Sequence, residues 1–322
     1  MEKLEQYVPT GPNDNTVRIL RAFIDHLPED GRADLIHHLQ SLGSNPNQEI
    51  HDYAESLVNG LLMPMWNLRP RYEGSIRYLI ANPDGPPARE VRLKKDCLDR
   101  DSLRCVVTGF YDEDSRRDKN ITGPGIRAAY TNCTPIFPFA LTTWKDEHEK
   151  RAKDIVWSNL TRYFPSIENQ LHFTRKSIND TRNAMTMSLN LHLSFGSFDF
   201  AFEETSRRYT YTLKNYKPWV LDDLPEQVTF TCHNSESPFA LPSSGLLKVH
   251  AALANIFHAS GAARSIEKAV QNLEDIEILA RDGSTDLSAA LAASSVGILG
   301  SRAQWLPSTP GTAHDNDTSE TA

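Results

Sequence analysis

The sequence predicts an α+β protein in which short antiparallel strands are flanked by N- and C-terminal helices, and three patterns predict it. Apolar residues recur at helical spacing through the first third of the chain. Phe198, Phe200 and Phe202, followed by Tyr209, Tyr211 and Leu213, alternate like the two arms of an antiparallel hairpin. Leu246, Leu247, Val249, His250, Leu253, Ala254 and Phe257 then return to helical spacing. At 322 residues, 39% of them hydrophobic, the chain can bury one substantial core and a smaller helical annex.

The elements follow in order. Residues 1–82 read as a helical region. Val17, Leu20, Ile24 and Leu27 keep the helix period behind an Asn15-Thr16 cap, and Pro28-Glu29-Asp30-Gly31 breaks it. Ala33, Ile36 and Leu39 begin a second helix, and Ile50, Tyr53, Ala54, Leu57, Val58, Leu61, Leu62 and Met65 mark a third, amphipathic one. Asn82-Pro83-Asp84-Gly85-Pro86-Pro87 reads as a linker. The next region, 88–235, opens with a helix through Val91, Lys94 and Leu98. A short apolar strand at Cys105–Thr108 and a polar loop to Ile126 follow, then the Cys133–Leu141 segment. A charged helix from Asp146 to Tyr163 is expected to place Ile155, Val156, Leu160 and Tyr163 on one side. A turn at Asn183, a short helix bearing His192, the hairpin and a third strand at Val228–Cys232 complete the region. C-terminal helices are expected over 242–282, the second from Ala263 to Ala280, and the Ser-, Thr-, Ala-, Gly- and Pro-rich residues 283–322 read as a disordered tail.

Three segments of the middle region carry a family resemblance. They are Arg100-Asp101-Ser102-Leu103-Arg104-Cys105-Val106-Val107-Thr108-Gly109, then Cys133-Thr134-Pro135-Ile136-Phe137-Pro138-Phe139-Ala140-Leu141, and Asn183-Ala184-Met185-Thr186 running on to His192-Leu193-Ser194-Phe195-Gly196. Together, over roughly residues 88–260, they resemble the fungal HNH endonuclease-like family. The resemblance implies a ββα-metal core and, as the family's presumed activity, metal-dependent DNA hydrolysis. Family members usually read Cys-Ala-His-Ile, an apolar residue, Pro, often a second His, a small residue and Leu in the second segment. This chain departs from that pattern, with Pro135 where the general-base histidine stands and Phe139 where the second histidine often stands.

The departure bears directly on chemistry. A general base must reach the proton it removes and hold a pKa near the working pH, which imidazole offers and proline cannot. His192 is the only good candidate for a metal ligand, and a catalytic cation wants further oxygen or nitrogen ligands. Asp180, Asn183 and Thr134 are the polar residues near it in the motif, so no metal set is assigned. Asn183 and His192 also have plainer readings, a turn asparagine satisfying backbone groups and a hydrogen-bonded structural histidine.

Composition narrows the classes further. The formal net charge of -8 weighs against nucleic acid as a partner, because affinity for phosphate backbones rests on clustered Lys and Arg. The local basic clusters at Arg89–Lys95, Arg116–Lys119 and Arg207-Arg208 have acidic neighbours. Cys97, Cys105, Cys133 and Cys232 form no Cys-x-x-Cys pair, so no structural zinc is indicated and free thiols are expected. With neither an apolar run long enough to span a membrane nor a signal-peptide pattern, an intracellular, cytoplasmic location is expected. The sequons at Asn120, Asn132, Asn159 and Asn179 then read as chance matches.

Three functions fit these residues. The first is a nuclease-inactive HNH-like scaffold that needs no cofactor and takes an apolar small molecule as its partner. Pro135, Phe137 and Phe139 would line the ligand, with Asn183 and His192 as the polar, catalytic pair. By holding a polyene, terpenoid or polyketide in a reactive fold, such a pocket would promote a cyclisation or [4+2] cycloaddition in fungal natural-product biosynthesis. The second is a metal-dependent endonuclease with its base relocated to His148 or His172. The third is a non-enzymatic binding module for nucleic acid or protein.

Overall fold

In the computed structural model, residues 2–43, 45–68, 88–217, 224–232 and 238–266 are described. The expected linker at 82–87, most of the second C-terminal helix and the tail at 283–322 lie outside them. The fold is α+β, as the patterning predicts, with helices packed around three small sheets among the described residues.

Helix α1, Thr16–His26, buries Ile19, Leu20, Phe23 and Ile24 along one stripe. The Asn15 side chain does not cap it; the Asp14 carboxylate accepts from the Thr16 N–H at 2.9 Å instead. The expected break falls at Leu27-Pro28, both extended, and helix α2, Glu29–Ser41, starts four residues ahead of Ala33 because Pro28 occupies its N-cap and Glu29-Asp30-Gly31 are already helical. Glu29 and Asp30 then lie in its first turn, where the helix dipole favours negative charge. The third predicted helix is α3, Pro46–Leu57, which passes through a π-turn at Val58–Leu62 into α4, Met63–Asn67. Its predicted stripe from Ile50 to Met65 is buried throughout. In the π-turn the Met63 N–H bonds the Val58 carbonyl, and the Gly60 carbonyl accepts from Asn159 Nδ2 at 2.9 Å.

The middle region starts with α5, Ala88–Arg100. Cys105–Thr108 is a turn and not the expected strand. The chain enters it through Ser102 and Leu103, both left-handed at φ 58° and 59°, and leaves through Gly109 at φ 69°. The Gly109 N–H closes back on the Cys105 carbonyl at 2.9 Å. The expected polar loop holds β1, Tyr111–Asp112, helix α6, Glu113–Asp118, and β2, Ala128–Ala129, which pairs parallel with β1. Asp112 caps α6 by accepting from the Ser115 N–H at 3.0 Å.

Strand β3, Thr131–Pro135, pairs antiparallel with β4, Ala184–Ser188. Between them runs α7, Glu147–Tyr163, capped by Asp146; it buries Val156, Leu160 and Tyr163 but leaves Ile155 54% exposed, so Ile155 does not share the predicted packing side. Helix α8, Leu189–Gly196, follows β4 directly. Strands β5, Phe200–Glu204, β6, Thr210–Asn215, and β7, Gln227–Thr229, form the antiparallel sheet the alternation predicts. Phe200, Ala201 and Phe202 are all buried, so β5 is covered on both faces. Helix α9, Ser244–Ser260, packs across α1 and β5 and stops at Gly261, whose φ of 75° suits a left-handed C-cap. Apolar side chains from Leu4 to Ile266 merge into one core, which fixes the β3–β4–α8 unit against the helices.

Candidate functional site

The motif residues converge on β3, β4 and α8, a ββα unit. Antiparallel register sets Pro135 opposite Ala184 and Thr134 opposite Met185. Helix α8 carries His192 over β3, where its Nδ1 lies 2.9 Å from the buried Thr134 Oγ1. Burial alone lowers the His192 pKa to about 4, so the imidazole is neutral near pH 7.

Asn183 is fully buried at the start of β4. Its Oδ1 accepts from the Phe137 N–H at 2.9 Å, and its Nδ2 donates to the carbonyls of Phe137 at 3.0 Å and Ile178 at 2.8 Å. The Asn183 carbonyl also accepts from the Ile136 N–H at 2.7 Å. These bonds make Asn183 a positioning residue, which fixes the chain leaving β3.

The aromatic residues separate into two layers. Phe137 is 1% exposed, and its ring lies 5.9 Å from Phe173, which in turn lies 6.2 Å from Trp157. Phe137 therefore backs the wall from inside the core rather than facing outward. Pro135, Pro138 and Phe139 are only partly buried, and Phe139 packs against Leu93, Cys97 and Ala184. An external ligand would meet this second layer.

The sequence reading gave no role to the residue that holds the unit together. Arg100, fully buried at the end of α5, makes a two-pronged pair with Asp101, through Nε to Oδ1 at 2.7 Å and Nη2 to Oδ2 at 3.0 Å. It also donates to the carbonyls of Thr181, Ala184 and Ala240, and Asp101 Oδ2 accepts from the Thr186 N–H at 2.8 Å. Burial opposes the charge on Arg100, but the bond to Asp101 outweighs it and raises the Arg100 pKa. The Arg-Asp dipeptide that opens the first motif segment is the sequence signal for this clamp, and adjacent opposite charges are usually solvated.

A metal set does not assemble around His192: among the described residues no three His, Cys, Asp or Glu side chains converge on one point. Asp180 is engaged by the Arg182 N–H at 2.9 Å and the Arg182 guanidinium at 3.1 Å. Cys97 and Cys133 are free thiols with their sulfurs 3.8 Å apart, and the neighbouring Cys97 sulfur together with burial pushes the Cys133 thiol up. His148 and His172 are both exposed, and no hydrogen bond ties either to Thr134 or His192.

A family model described as HNH endonuclease matches residues 105–203, the stretch from the Cys105 turn through β3, β4 and α8 into β5. The chain thus carries an HNH-like domain, similar to that family over these residues. No curated protein and no solved structure matches the chain.

The His192 environment predicts a pH effect. Its folded pKa of about 4 lies below the roughly 6.5 of an unfolded histidine. Above that unfolded value neither state holds the proton, and stability is intact. As pH falls toward 4 the unfolded chain is protonated while the folded one is not, so stability is lost across this window. His192→Gln, which keeps a polar partner for Thr134, should show a shallower loss than the parent in urea unfolding between pH 7 and 4. Parallel curves would contradict the assignment.

Proposed function

We propose that this protein is a nuclease-inactive HNH-like scaffold that binds an apolar small molecule without a metal. The observation that supports it is Pro135, set in β3 opposite Ala184 at the motif position of the general base, with His192 engaged by Thr134 rather than by a carboxylate or second imidazole. A nuclease needs a base for the attacking water and charge to meet the scissile phosphate, and this arrangement offers neither. What it does offer is an apolar layer of Pro135, Pro138 and Phe139 beside one polar pair, Thr134 and His192, on a backbone held by Asn183. Few orienting groups on an apolar wall suit a hydrophobic ligand. Cyclisation or [4+2] cycloaddition of a polyene, terpenoid or polyketide is the reaction we propose for it, since orientation alone can lower such a barrier by several kcal/mol.

Two measurements test this reading. Incubation with plasmid DNA and Mg²⁺, Mn²⁺ or Zn²⁺ should give no cleavage above background, and Pro135→His alone should not restore it. Cutting that depends on metal and disappears in His192→Ala would overturn the proposal. Deleting the gene should cause an uncyclised precursor to accumulate, and the purified protein should convert it without metal while Phe139→Asp should not. An unchanged metabolite profile counts against the biosynthetic role.

A further inference from the structure

Away from the β3–β4–α8 unit, the Cys105–Gly109 turn and the loop before β2 enclose a surface depression of about 300 Å³. Its lining includes Arg104, Thr108, Phe110, Tyr111, Gly125 and Arg127, and among the described residues no Asp or Glu. In a chain of net charge -8, a concavity with two arginines and no acid is a local reversal of sign. Among the described residues neither arginine forms an ion pair, whereas the neighbouring Arg116 and Arg117 on α6 pair with Glu113 and Asp114.

Each guanidinium lies over an aromatic ring. Arg104 lies over the Tyr111 ring at 3.7 Å, donates to the Gly109 carbonyl at 3.0 Å and bonds the Tyr111 hydroxyl. Arg127 lies over the Phe110 ring at 5.6 Å, while its own carbonyl accepts from the Tyr111 N–H at 2.9 Å and joins the two walls. Stacking of this kind orients a guanidinium without neutralising it. The rim is also stripped of side chains: Gly109 and Gly125, at φ 69° and 78°, each face open space where a Cβ would stand. Backbone there can approach a ligand closely.

We propose that this depression is a binding site for a small organic anion, a carboxylate or phosphate carried on a flat unsaturated ring. The arginines take the charge, the arginine and aromatic planes take the ring, and the volume matches the lower end of small-molecule sites. The inference does not depend on the ligand proposed for the β3–β4–α8 unit, since none of its residues belongs there.

The test uses the full chain and three probes, 2-naphthoate, uncharged 2-naphthalenemethanol and saturated cyclohexanecarboxylate, followed by calorimetry at fixed salt. Naphthoate should bind at least tenfold more tightly than either comparator, and Arg104→Gln and Arg127→Gln should each weaken it about tenfold while leaving the thermal transition in place. Equal binding of the alcohol would overturn the anion assignment, and equal binding of the cyclohexane acid would overturn the flat-ring assignment. Binding that survives both arginine substitutions would place the probe elsewhere and overturn the site. Duplex DNA bound through the same two arginines, with no binding of naphthoate, would also refute it, because the site would then read a nucleic-acid backbone.

Discussion

Arg100→Ala is expected to destabilise the protein by about 3–5 kcal/mol, the range for removing one member of a buried ion pair. The loss has three parts. Asp101 is left as a buried carboxylate without its cation, and the carbonyls of Thr181, Ala184 and Ala240 lose the donor they share. Strand β4 then loses its Arg100 anchor at Ala184 and keeps the Asp101 bond to the Thr186 N–H beside its pairing with β3, although β4 must stay in register for His192 to reach Thr134. Arg100→Lys should recover little, because one ammonium cannot reproduce five donors in a rigid fork. Urea unfolding at neutral pH reads the effect. A loss under about 1 kcal/mol would mean that water replaces the guanidinium easily, at odds with a fully buried clamp.

A second large effect is expected at Gly31. A Cβ built there would lie 1.9 Å from the Tyr163 carbonyl oxygen, in the backbone at the C-terminal end of α7, so no side-chain rotation relieves the clash. Helix α2 would have to withdraw from α7, disturbing the Tyr53–Tyr163 hydroxyl bond of 2.9 Å and the Phe23–Tyr163 edge contact. Gly31→Ala should therefore cost at least the roughly 1–3 kcal/mol of ordinary overpacking. The control is Gly11→Ala, where nothing lies within 4 Å of the added methyl, and the change should stay within about 0.5 kcal/mol. Equal transition temperatures for the two variants would show that α2 and α7 separate freely.

The longer helices were legible because their apolar residues recur with the helix period, and the Phe200–Leu213 hairpin because Phe200 and Phe202, then Tyr211 and Leu213, alternate in the sequence; the short α6, with no buried residue, was not. Strand β4 was not: Ala184-Met185-Thr186-Met187-Ser188 has one β-branched residue and four buried positions, so neither propensity nor alternation marks it. Cys105–Thr108 erred the other way, its two valines suggesting a strand while left-handed residues on either side folded it into a turn. At the candidate site, the Asn183 and His192 positions were legible as a motif, but their partners were not. That Asn183 holds Phe137 by both backbone groups, and that Phe137 turns inward to Phe173, depend on chain separations of 46 and 36 residues that no local pattern encodes. The role of Arg100 was invisible for the same reason, since its five bonds are made to its neighbour and to segments more than eighty residues away.

The π-turn at Val58–Leu62 stands directly before Pro64 and gives the α3–α4 rod room for a proline in its interior. A π-turn holds one residue more than an α-turn while the helix on each side keeps its phase. Removing a single residue from this stretch would keep Tyr53 and Met65 on one face but would leave Pro64 inside a continuous α-helix, where its ring meets the carbonyl four residues back. Pro64 has no N–H to give the Gly60 carbonyl four residues before it, and Asn159 donates to that carbonyl from outside the rod. Its side-chain nitrogen, the atom that a glycan would take at the Asn159 sequon, is thereby occupied within the fold.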